Sequence, residues 1–197
     1  TTTGVWYFTN ASSLSAASDM VRRVEELGYS TMWMPDTIGR DPFAHIAFLA
    51  EHTERLLFAT GIANIFHRHP GAMMQVGNTI AEQTDGRFIL GLGVSHEPLV
   101  AGLRGLDYSK PLTRMREYLA AMKASPYGSQ PPETPAPVVL AALGPKMLEL
   151  ARQKNGYIRR DITRDEALKF CQEKGDEYKI ELIEKRGADE ALTLYTQ

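Results

Sequence analysis

Cysteine is nearly missing. Cys171 stands alone in 197 residues, so no disulfide can form within the chain, and a reducing cytoplasm is the expected setting. An excess of one charge is missing too. The formal net charge is −2, which gives neither the basic footprint of a nucleic-acid binder nor the acidic tract of a disordered segment. No apolar run approaches the ~20 residues of a membrane span, so no membrane partner is expected. The opening residues TTTGVWYFTN lack a basic flank and a cleavage pattern, so no secretory signal is expected. What remains is a globular composition, 43% hydrophobic and 23% charged, long enough for one good core with a small appendage.

What is there is a rhythm. Short apolar runs near 4–9, 30–35, 56–64, 87–94 and 138–143 predict strands. Between and after them lie SLSAASDMVRRVEELG, DPFAHIAFLAEHTE, GAMMQVGNTIAEQTDG, LTRMREYLAAMKA and PKMLELARQKNG, which carry helical apolar spacing and stop signals such as Gly28 and Gly86. The strands are continuously apolar, as in a parallel sheet covered on both faces. The fold class is therefore α/β, and sites are expected at the carboxyl ends of the strands. Beyond Gly156 the rhythm stops and charge becomes dense. A boundary is expected near residue 157, followed at 158–197 by a small α+β appendage ending in LTLYTQ.

Four strand-end loops carry candidate chemistry. Asp36 follows directly on the second strand, whereas Asp41 before Pro42 reads as a helix cap. The stretch ATGIANIFHRHP brings Gly61, Ile62 and Asn64 at a strand end, then His67 and His69. Two histidines without a third ligand nearby are a weak metal signal, and no metal site is expected. Gly91, Leu92 and Gly93 permit a close backbone approach or simply relieve crowding, and Ser95 and His96 add polar groups. They do not form a dinucleotide fingerprint, because the third glycine is absent. Gly144, Pro145 and Lys146 open a helix, as an anion site or an ordinary turn would.

In this order and spacing, ELGYSTMWMPD, ATGIANIFHRHP, GRFILGLGVSH and AALGPKMLELA resemble the luciferase-like monooxygenases, in particular their deazaflavin-dependent oxidoreductase branch, over residues 1–156. The resemblance implies a (β/α)8 barrel, here partial, with about five parallel βα units. It implies a 5-deazaflavin coenzyme (coenzyme F420) or FMN at the strand carboxyl ends, and hydride transfer to a small-molecule substrate. It maps a bulge with a non-prolyl cis peptide onto Gly61-Ile62 and sets Asn64 near the coenzyme ring. Gly91, Leu92 and Gly93 match backbone contacts, and Gly144, Pro145 and Lys146 match a phosphate loop. Asp36 falls where the family has an acidic residue, Thr37 departs from a common histidine, and the substrate is expected near Trp6, Asp36 and His96. Asp36 and His96 are thus the catalytic candidates.

Residues 159–197, with DITRDEALKF and GDEYKIELIE, resemble part of the editing region of threonyl-tRNA synthetase. The paired-histidine and cysteine motifs of that region are absent, so editing is not implied. Two family fragments in one chain suggest a chimera, and the alternative to an oxidoreductase is a folded chimera without activity. An open sheet lined by Met32, Met34, Phe58, Ile89 and Val139 or Leu140 would expose apolar surface, which predicts a homodimer.

Overall fold

The computed structural model describes residues 3–142 and 144–153. The chain divides into two compact units, Thr1–Leu140 and Ala141–Gln197. The boundary expected near 157, and the appendage and synthetase-like tail beyond it, lie outside the described residues.

In the first unit the alternation is as expected. The strands are β1 (Gly4–Trp6), β2 (Thr31–Met34), β3 (Leu57–Thr60), β4 (Ala63–Asn64), β5 (Phe88–Gly93) and β6 (Val138–Leu140). The helices are α1 (Leu14–Glu26), α2 (Pro42–Ala50), α3 (Pro70–Gln83) and α4 (Pro111–Ala124). The second unit contributes α5 (Pro145–Gln153).

Local chemistry sets the helix starts. The Ser13 hydroxyl accepts the N–H of Ala16, the Asp41 carboxylate those of Phe43 and Ala44, and His69 Nδ1 that of Gly71. Each satisfies donors left over in a first turn. Pro42, Pro70 and Pro111 open their helices where no N–H is needed. One element went unread in the sequence: Pro98–Leu103 forms a short π-helix in what reads as plain loop. No helix among the described residues is long and apolar enough to cross a membrane.

Every pairing is parallel; β1, β2, β3, β5 and β6 lie side by side in chain order, and β4 also pairs with β5. That is the winding of a (β/α)8-type barrel, present here as five βα units. β3 and β4 are one strand interrupted. Phe58 and Ala59 pair with Phe88 and Ile89, whereas Ala63 and Asn64 pair with Leu92 and Gly93. Four steps along one strand match three along the other, so the interruption is a one-residue bulge. The Gly61-Ile62 bond within it is cis.

The two faces of the sheet can be told apart. Met32, Phe58 and Phe88 are in register and fully buried, and the Phe88 ring meets Phe43 of α2 edge-on at 6.2 Å. Leu90 lies against Gly77 of α3. This face carries the helices. The expectation that Met32, Met34 and Phe58 line the open interior is therefore corrected. The opposite face carries Trp33, Ala59 and Ile89 in one row, with Val139 level with Gly91.

Candidate functional site

The bulge is held from three sides. Gly61 N–H donates to Met34 O at 2.7 Å, Asp36 N–H to Ile62 O at 3.1 Å, and the Trp6 indole N–H to Gly61 O at 2.7 Å. On β5, a Cβ at Gly91 would stand 1.9 Å from Thr60 O, and one at Gly93 would stand 2.5 Å from the Ile62 side chain. The room left by these glycines is therefore taken by the bulge itself. Leu92 between them is buried and level with Ala63.

Around the bulge sits a polar array. Asp36 Oδ2 accepts the Asn64 N–H at 3.1 Å. Both Asp36 oxygens lie 3.2 Å from His67 Nδ1. His67 Nε2 lies 3.1 Å from Asn64 Nδ2, and Asn64 Oδ1 accepts the Phe66 N–H at 3.0 Å. The Asp36 and His67 side chains are 11% and 15% exposed, so both are largely shielded yet reachable at an edge. Beside them, Trp6 is 38% exposed, and Phe8 packs edge-on against it with ring centroids 4.7 Å apart.

The next residues anchor the loop. Arg68 pairs with the Asp41 carboxylate, its guanidinium carbon lies 4.7 Å from the Phe43 ring centroid, and its carbonyl accepts from the Tyr118 hydroxyl at 2.9 Å. Burial pushes the Tyr118 hydroxyl pKa well above its usual value.

A second feature is a shallow cleft with room for little more than a water molecule, lined by Tyr7, Phe8, Thr9, Arg40, Pro42 and His45 among others. His45 Nε2 lies 2.9 Å from the Thr9 hydroxyl. Arg40 donates to the carbonyls of Thr9 and Ser12. Burial, and after it the Arg40 charge, hold the His45 pKa below its ordinary 6.5.

Of the expected residues, Asp36, Gly61, Ile62, Asn64, Gly91, Leu92 and Gly93 come together at the bulge. His96 is exposed, and its carbonyl accepts from Leu99 and Val100 at the start of the π-helix. Its side chain has no hydrogen-bond partner among the described residues. Gly144, Pro145 and Lys146 belong to the second unit. There the Gly144 carbonyl accepts the N–H groups of Met147 and Leu148, and Lys146 is exposed. The pairing of His67 with Asp36 spans 31 residues, and no local spacing in the sequence announces it. His69 caps α3, and no group of three potential ligands able to hold a metal occurs among the described residues.

A parallel sheet of βα units wound in one direction, with polar groups gathered on a bulge at the strand ends, is the architecture of a partial β/α barrel. Residues 1–158 match the luciferase-like monooxygenase family model. The chain belongs to that family. A protein of Mycobacterium tuberculosis named for coenzyme F420-dependent oxidoreductase activity is 32% identical over 102 residues, covering 52% of this chain and 29% of that relative. The coenzyme F420-dependent tetrahydromethanopterin reductase of Methanopyrus kandleri has a similar fold, with TM-score 0.62 and 18% identity over 76% of this chain and 52% of its own. So does the oxygenating constituent of 3,6-diketocamphane monooxygenase of Pseudomonas putida, in complex with FMN, with TM-score 0.62 and 15% identity over 94% and 74%. The chain spans less than half the length of the curated relatives it matches.

Proposed function

We propose that this protein is an oxidoreductase that binds a 5-deazaflavin coenzyme (F420) or FMN over the Gly61-Ile62 bulge and acts on a small organic molecule. One observation carries the reading: the Asp36–His67–Asn64 array on the bulge, next to the half-exposed ring of Trp6. The residues present fit such a group. A planar ring system needs an aromatic or apolar wall and a few fixed polar groups. Trp6 and Phe8 offer the exposed rings, and the bulge with Asp36 offers the polar edge. When bound, the coenzyme supplies hydride exchange with the substrate.

The chain's own residues do the rest. Gly91 and Gly93 seat the bulge, the bulge carries Asn64 and the Ile62 carbonyl, and Asp36 offers an acceptor to a donor on substrate or coenzyme. His96, exposed on the loop after β5, is the group available to a substrate from that side. The same reading takes the protein as a cytoplasmic homodimer, supported by the exposed apolar side chains of Ile38 and Leu103.

Titration of the full chain with FMN, and separately with F420, tests this by coenzyme fluorescence. A saturable change with one of them is expected. No saturation with either up to about 1 mM, an affinity weaker than roughly −4 kcal/mol, would sink the reading.

A further inference from the structure

Asn64 is 1% exposed, and its neighbours decide how its amide points. Oδ1 accepts the Phe66 N–H at 3.0 Å, so the amide nitrogen is the group 3.1 Å from His67 Nε2. That nitrogen can only donate. The contact is a hydrogen bond only if Nε2 carries the lone pair, which puts the ring hydrogen on Nδ1. Nδ1 lies 3.2 Å from both oxygens of Asp36. Donation thus runs in one direction, from Phe66 N–H to Asn64, from Asn64 to His67, and from His67 to Asp36. Asp36 Oδ2 also takes the Asn64 N–H.

We propose that His67 is a positioning residue of the site. Locked by Asn64 in the Nδ1–H tautomer, it holds the Asp36 carboxylate beside the bulge as an acceptor for a ligand that presents an N–H or O–H donor. The identity of that ligand rests on the coenzyme reading above, but the array does not. Without His67, Asp36 keeps one backbone donor on one oxygen, and its carboxylate is free to turn. A buried acceptor group held by its neighbours loses no orientational freedom when a ligand meets it, which is why such second contacts influence affinity.

The tautomer is tested directly by ring-nitrogen magnetic resonance on the full chain labelled with 15N-histidine, with the His67 signals identified by their loss in His67→Gln. The expected pattern is a protonated Nδ1 and a bare Nε2. A hydrogen on Nε2 of His67 in the intact chain would overturn the proposal. A second arm measures affinity for FMN and for F420. His67→Phe keeps a ring but removes the donor, and is expected to weaken binding at least about tenfold. His67→Asn places an amide nitrogen where Nδ1 stands, and is expected to stay within about threefold of the intact chain. Equal losses in the two variants, with denaturation midpoints showing both folded, would leave His67 a mere space-filler and overturn the proposal. If the intact chain binds neither coenzyme, the functional reading falls, and the tautomer spectrum still decides this inference by itself.

Discussion

Trp6 donates its indole N–H to the carbonyl oxygen of Gly61 at 2.7 Å, although β1 and β3 do not pair and β2 lies between them. A side chain thereby ties the first strand to the bulge in the third. Replacing Trp6 by Phe keeps an aromatic ring and removes the donor. The expected loss is about 1 kcal/mol, seen as a lower denaturant midpoint with an unchanged slope. An unchanged midpoint would show the bond to be idle.

Gly91 and Gly102 make a controlled pair. Alanine at Gly91 would drive a methyl group to 1.9 Å from Thr60 O, a backbone atom that cannot swing aside. A loss above about 3 kcal/mol, or failure to fold, is expected. At Gly102 nothing lies within 4 Å, and Gly102→Ala should stay within about 0.5 kcal/mol of the intact chain. Chemical denaturation of both variants decides the matter.

Glu25 gives an acid-side test. Burial works to raise its pKa, but the N–H groups of Arg55, Leu56 and Glu54 donate to the carboxylate and outweigh it, leaving the value below the ordinary 4.5. A depressed carboxylate stabilises the fold above its unfolded pKa, and that contribution is lost as pH falls through the folded value. The stability difference between the intact chain and Glu25→Gln should be full at neutral pH and shrink once pH drops below about 4.5. Denaturation midpoints across that range measure it, and a constant difference would contradict the assignment.

His45 has the opposite consequence. Its folded pKa lies below 6.5 through burial and then the Arg40 charge, so the unfolded chain takes up the proton first. Protonation therefore costs stability as pH falls below 6.5. His45→Gln lacks this dependence, and its midpoint should fall less steeply with pH between neutrality and the acid side. Parallel curves for the two proteins would count against it.

Much of this was legible in the sequence, for reasons that differ by residue. Asp41 before Pro42 announces a helix cap, and the continuous apolar runs announce parallel strands. Those same runs hide which face is which. Met32 and Phe58 carry no alternation that would separate the helix side from the open side, since both sides are apolar. Only the contacts of Phe88 with Phe43 and of Leu90 with Gly77 resolve it. The partnership of Asp36 with His67 spans 31 residues, and no local spacing records it. The π-helix at Pro98–Leu103 is too short to leave a periodic pattern.

Strand alternation behaves like a reading frame, and the bulge is its insertion. Six residues separate Phe58 from Asn64, so an unbroken strand holding every residue would turn both side chains to the helices and set Asn64 level with Val94. The register instead sets Asn64 level with Gly93, on the side away from the helices. The bulge, then, and not the identity of residue 64, decides which way the asparagine faces. Adding one more residue between Ile62 and Ala63, with the bulge kept at one residue, would turn it back among the helices. Removing Ile62 would keep the frame but take away the carbonyl that receives the Asp36 N–H. Length variants of this loop can therefore separate the side on which the polar array forms from the backbone that receives it, which no point substitution can do.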